Sequence, residues 1–202
     1  MKIWNLFNNY FLRMRNEGSS KKIIIKNKVN LEIDKTATII VNGKLVLGCS
    51  DYKHEYRYLN LSMSENSKLI VNDKLHIYAG SYISVSKGAT LEFGGDGYIN
   101  YGCNIDCFDH ISIGRDTIIA KQVFIRDSDN HNIEYEGYKK TAPIKIGDHC
   151  WIGMRSTILK GVTIGDGCII AAGSLVNKDI PPNCLAAGVP AKVIKENLSW
   201  TR

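Results

Sequence analysis

An aliphatic residue recurs at every sixth position, and no other feature of this chain restricts its fold so strongly. From Ile146 the series runs through Ile152, Ile158, Ile164 and Ile170 to Val176, apolar and β-branched at every step. An earlier series runs from Val71 through Ile77, Ile83, Ala89, Gly95, Tyr101, Cys107, Ile113 and Ile119 to Ile125. Four residues after each member of the later series stand Cys150, Ser156, Val162, Cys168, Ser174 and Ile180, most of them small. Gly or Ala directly follows the aliphatic residue in Ile113-Gly114, Ile119-Ala120, Ile146-Gly147, Ile152-Gly153, Ile164-Gly165 and Ile170-Ala171. A period of six is wrong for an amphipathic helix, whose faces recur at 3.6. It suits a coiled parallel sheet in which each short strand sends an aliphatic side chain inward. A small residue then stands where the backbone bends and side chains crowd. Such solenoids bury a continuous core by stacking one coil on the next.

Composition agrees. The chain has 27 Ile against 14 Leu, with 18 Gly and 4 Pro, a bias towards strands and turns. Its formal charge of +6 is confined to residues 1–30, which hold seven Lys/Arg and one acid, Glu17. The remaining residues carry nineteen basic and nineteen acidic side chains. A neutral body argues against a broad basic face for nucleic acid. No pair among the six cysteines (Cys49, Cys103, Cys107, Cys150, Cys168, Cys184) has CxxC spacing. They read as small, buried, reduced thiols, with no metal site expected.

The first residues carry Ile3, Phe7, Tyr10 and Met14 on one helical face, with Leu6 and Phe11 beside them. Asn5, Asn8 and Asn9 interrupt the apolar run, which argues against a signal peptide. The expectation is a short amphipathic helix over residues 1–20, either packed on the body or lying at an interface with basic anchors. Residues 21–70 read as irregular first coils, in which Ile33, Ile39 and Leu45 still step by six before a Tyr-rich break at residues 51–58. Residues 71–189 form the regular solenoid, and 190–202 a tail.

The stretch from Ile144 to Lys195 contains WIG, GVTIGDG, AAGSLVNKDIPP and AGVPAKVIK. In these segments the chain resembles the hexapeptide-repeat acyltransferases, of the sugar and polysaccharide O-acetyltransferase type. The likeness is good over about residues 70–195. It implies an all-β solenoid: a left-handed parallel β-helix with 18-residue coils, assembled as a homotrimer with active sites between subunits. It also implies acetyl-CoA as co-substrate, a saccharide acceptor and no metal requirement. The absence of an HxxxxH pair separates the chain from the zinc carbonic anhydrases that share this type of helix.

The six-residue phase breaks once in the clear region, where His131 to Lys145 intervene before Ile146. An excursion of this length puts an arm over one face of a solenoid, and such loops often carry function. The resemblance makes His131, at the start of the loop, the general base that takes the acceptor's hydroxyl proton, a task suited to an imidazole near neutral pKa. Asp129 is a candidate to orient it. An 18-residue stack would place Asp109 under Asp127, roughly 4.8 Å away, as carboxylates for acceptor hydroxyls or for His131. Asn100 occupies a position where sugar-binding members of the family hold the acceptor.

The same stacking places Lys160 under Lys178, two ammonium groups that repel unless an anion such as a CoA phosphate sits between them. Gly153 under Ala171, Met154 under Ala172 and Arg155 under Gly173 form a track of mostly small residues for a pantetheine arm. By resemblance Met154, Ala172, Asn177, Lys178, Lys192 and Lys195 match CoA-contacting positions, and Trp151 lies near the thioester. The expected activity is acetyl transfer from acetyl-CoA to a sugar hydroxyl of a surface polysaccharide or its precursor. The alternatives are an amino-sugar N-acetyltransferase and a non-catalytic β-helix scaffold. The expected location is the cytoplasm, with the N-terminus a candidate for peripheral contact at the inner membrane face.

Overall fold

The computed structural model describes residues 13–14, 22–26, 28–51 and 56–202. Strands form wherever inward aliphatic and outward polar residues alternate. Thr90–Phe93 is typical: Leu91 and Phe93 are buried, while Thr90 and Glu92 lie at the surface. Each coil contributes one strand to each of three sheets, so the body is a prism of triangular section. Among the described residues, the first sheet holds seven strands, from Arg13–Met14 through Thr90–Phe93 to Thr163–Ile164. The second holds nine, from Lys22–Ile25 through Trp151–Ile152 to Ala191–Lys195. The third holds seven, from Val29–Ile33 through Phe124–Arg126 to Leu175–Val176. All pairings between coils are parallel; the last strand, Ala191–Lys195, folds back antiparallel on Leu185–Gly188. The expected left-handed parallel β-helix is the fold found.

The core is one continuous column of stacked side chains. Ile119, Ile152 and Ile170 follow one another up the second sheet, and Ile125, Ile158 and Val176 up the third, all buried. The bends between sheets explain the small residues that follow the aliphatic ones. A Cβ on Gly153 would lie 2.4 Å from the Ile170 carbonyl oxygen and 2.7 Å from the Ala172 nitrogen of the next coil. The bend from the second sheet to the third uses left-handed backbone at each level, with φ of 69° at Gly102, 60° at Gln122, 58° at Arg155 and 73° at Gly173.

The coil length differs from the expected 18 residues below the loop. Ile146 pairs with Ile164 and Ile152 with Ile170, a step of 18. Ile105 pairs with Ile125, a step of 20, and Ile83 with Ile105, a step of 22. Leu31 pairs with Leu61, a step of 30. Four-residue strands such as His110–Ile113 bury two side chains, Ile111 and Ile113. A six-residue step therefore persists from either one while the coil grows by two. The helix expected over residues 1–20 lies outside the described residues, except for Arg13–Met14, which pair as a strand with Thr38–Ile39. Among the described residues no helix is long and apolar enough to cross a membrane.

Candidate active site

The His131 loop leaves the corner between the third sheet and the first, and its base is pinned as a short antiparallel ladder. The Ala142 N–H donates to the Asp127 carbonyl at 3.0 Å and the Asp129 N–H to the Lys140 carbonyl at 2.9 Å, flanking a Ser128–Thr141 bridge. Beyond this base the loop is exposed, His131 included. Among the described residues no side chain bonds the His131 imidazole, which leaves both ring nitrogens for a substrate.

Tyr138, within the loop, and Lys160, on the coil that follows it, brace the loop. The Lys160 ammonium lies 2.6 Å from Asp129 Oδ2 and 4.3 Å from the centre of the Tyr138 ring, and also donates to the Lys139 carbonyl. The Tyr138 hydroxyl lies 2.8 Å from Asp129 Oδ2 and 2.7 Å from the His131 carbonyl oxygen. Hydrogen bonding from Lys160 holds the Asp129 carboxyl below its ordinary range. The hydroxyl has one proton for these two acceptors, so it donates to Asp129 or to the His131 carbonyl, and among the described residues no hydrogen bond joins Asp129 to the imidazole. Lys160, expected to meet a CoA phosphate, is instead engaged with the loop.

The acidic stack reads differently from expectation. Asp127 is fully buried, and its carboxylate accepts the Phe108 N–H at 2.7 Å and the Asp109 N–H at 2.9 Å. It meets Asp109 through that residue's backbone, two positions out of the 20-residue register, and is closed off from any acceptor hydroxyl. Burial raises its pKa against the opposing pull of those two N–H groups. Asp109 is exposed at the same corner as the loop.

The remaining candidates fall on two corners and one face. Asn177 and Lys178 are exposed on the loop's corner, after Leu175–Val176. Met154, at 44 % exposure, and Ala172 stand at the next corner, between the second and third sheets. Asn100 is two coils below Met154 on that edge, and its side-chain oxygen takes the Tyr101 N–H at 2.8 Å. Trp151, 44 % exposed, projects from the second sheet. Lys192 and Lys195 are exposed on the strand that closes that sheet. The third sheet therefore separates His131 from Met154 and Ala172 within one chain.

Residues 143–178 match the family model described as bacterial transferase hexapeptide, six repeats. Galactoside O-acetyltransferase of Escherichia coli K12 is 40 % identical over 114 residues, 55 % of this chain and 56 % of that protein. The chain thus matches about half the length of this curated relative. Among solved structures, the polySia-specific acetyltransferase NeuO superposes with a TM-score of 0.67 at 28 % identity, covering 96 % of this chain and 90 % of that one. The polysialic acid O-acetyltransferase OatWY gives 0.65 at 27 % identity, covering 94 % and 91 %. Over residues 143–178 this chain carries the hexapeptide repeat, and it shares its fold with these acetyltransferases.

Sequence reasoning missed two parts of this hexapeptide-repeat site. Tyr138 lies inside the loop, where no periodicity singles it out. Trp200 packs 6.0 Å from Trp151, ring centre to ring centre, a contact between residues 49 apart that no local pattern announces. An open cleft of about 560 Å³ lies away from His131, lined by His76, Tyr98, Arg115 and Arg202 among others. Among the described residues no cluster of His, Cys, Asp or Glu is arranged to hold a metal ion.

Proposed function

We propose that this chain transfers an acetyl group from acetyl-CoA to a sugar hydroxyl, acting as a homotrimer with sites between subunits. The observation that carries the reading is His131, with its imidazole unclaimed, on a loop braced by Asp129, Tyr138 and Lys160. Similarity to a galactoside and to polysialic acid O-acetyltransferases supports it. His131 takes the acceptor hydroxyl's proton as the oxygen attacks the thioester carbonyl. The tetrahedral oxyanion is stabilised by backbone N–H groups or the Trp151 indole N–H. It then collapses, the C–S bond breaks, and the imidazolium returns its proton to the CoA sulfur.

The separation of His131 from Met154 and Ala172 supports the trimer. One subunit's loop would meet its neighbour's second corner, where the pantetheine arm would lie along backbone. Lys178, Asn177, Lys192 and Lys195 would meet the polar parts of CoA, and Asn100 and Asp109 the acceptor. The acceptor would be a unit of a surface glycan, and the location cytoplasmic.

Acetyl transfer to matched hydroxyl and amine sugars, with product positions assigned by NMR, tests the acceptor. O-acetyl products alone are expected; N-acetyl products would overturn the reading. Mixing His131→Ala subunits with Met154→Trp subunits should restore activity that neither variant shows alone. Failure to complement after verified subunit exchange would contradict shared sites.

A further inference from the structure

The segment Leu198–Arg202 doubles back along the corner between the first and second sheets. The Leu198 N–H donates to the Asn183 carbonyl at 3.0 Å. Trp200 then lies flat on His149, with ring centres 4.2 Å apart and planes 11° from parallel. Its indole N–H donates to the His149 carbonyl at 3.0 Å, and its other neighbour is the Trp151 ring. Arg202 completes the contact through Asp116 Oδ1 at 2.5 Å.

The His149 ring decides how this contact is held. Its Nδ1 lies 2.6 Å from Asp116 Oδ2 and its Nε2 lies 3.0 Å from the Trp200 carbonyl oxygen. A carboxylate and a carbonyl can only accept. A neutral imidazole has one N–H and one lone pair, so it can serve only one of them. The other nitrogen would then point a lone pair at an oxygen. Both bonds together require the imidazolium.

We infer that Leu198–Arg202 is a clasp closed by protonated His149, and that through it Trp200 is a positioning residue for Trp151. The part concerning Trp151 rests on the function proposed above. Charged groups face His149 from every neighbouring element. Asp116 favours the charged ring and Arg202 opposes it. Arg115, whose carbonyl takes the His149 N–H at 2.7 Å, is tied to Asp73 at 2.9 Å and to Asp96. Asp148, next in sequence, accepts the Arg115 N–H at 2.7 Å, and Asp166 accepts the Asp148 N–H at 2.8 Å. The bond to the Trp200 carbonyl, then that to Asp116, raises the His149 pKa. A group with a raised folded-state pKa stabilises the closed form fully below the ordinary histidine range. That contribution is lost as pH rises through the raised value.

Hydrogen exchange of the peptide spanning residues 196–202, read by mass spectrometry on the full chain and corrected for intrinsic rates, tests the clasp between pH 5.5 and 9.5. Protection should fall about 10- to 100-fold as pH rises, the equilibrium worth of one hydrogen bond to a charged group. His149→Phe, which keeps the stacking surface without an N–H, should abolish that step. Asp116→Asn should move it to lower pH. Protection that is flat with pH in the wild type, or a step that survives unchanged in both variants, would overturn the clasp.

Acetyl-transfer kinetics test the positioning role. Trp200→Ala should lower kcat several-fold and remove the matching pH step from the kcat profile, and Trp200→Phe should restore both. Unchanged kcat and pH profile in Trp200→Ala would overturn it. If no sugar is acetylated at any pH while the exchange step behaves as expected, the clasp stands and the proposed function fails.

Discussion

At the scale of single residues, the side chains that matter most are those with no substitute. Asp127 satisfies two N–H groups of the coil beneath it from a fully buried position. Asparagine there would accept one of them and turn its own amide protons on the other. Asp127→Asn should therefore cost about 1–3 kcal/mol of stability, read as a lower urea midpoint; an unshifted midpoint would contradict the assignment. Its raised pKa also gives a sign. The folded wild type holds its proton more tightly, so stability falls as pH rises from the ordinary carboxylate range through the raised value, a step Asp127→Asn should lack. Gly153 is constrained differently, by the Ile170 carbonyl oxygen 2.4 Å from where a Cβ would stand. Gly153→Ala should destabilise by about 1–3 kcal/mol through overpacking, and a variant as stable as the wild type in urea would show that the next coil can yield.

At the scale of elements, the His131 loop is held by its hydrogen-bonded base and by an ionic brace. The Asp129–Lys160 pair is partly exposed, with side chains 39 % and 22 % accessible, so it contributes at most about 1 kcal/mol. That is enough to change how often a surface loop opens. Lys160→Met should make residues 130–140 several-fold more susceptible to limited proteolysis at neutral pH. The lowered Asp129 pKa means the brace is present above the ordinary carboxylate range and lost as pH falls through the lowered value. Wild type at low pH should then approach the variant, and equal cleavage at every pH would contradict the brace. Elements also divide by how legible they were. From Ile144 onward one hexad matches one strand, so stacking partners such as Ile152 and Ile170 could be read directly from spacing. In earlier coils, strands that bury two side chains slip the count by two, and the 18-residue pairing of Asp109 with Asp127 is two residues out of register. His131 was legible because it marks a break in phase. Tyr138 and Trp200 were not, because loops and returning segments obey no period.

At the scale of the molecule, stacked coils make a narrow, dry column that also accounts for the cysteines. Burial pushes the thiols of Cys103 and Cys150 up to about 12, and five of the six cysteines are buried. At pH 8 a thiol-specific reagent should label the folded protein at Cys49 alone on a short timescale, and all six after denaturation. Rapid labelling of Cys103 or Cys150 in the folded protein would mean that the column opens. The same column holds the loop at one corner and the small-residue track at another, which is why the proposed function assigns the chemistry between them to neighbouring copies. In the proposed reaction His131 is the base of that chemistry. The most direct measurement is acetyl transfer by His131→Ala with acetyl-CoA and the best sugar acceptor, alongside CoA binding by calorimetry. A loss of about 10²- to 10⁴-fold in kcat with CoA affinity unchanged is expected. A variant that retains near-full kcat would contradict it.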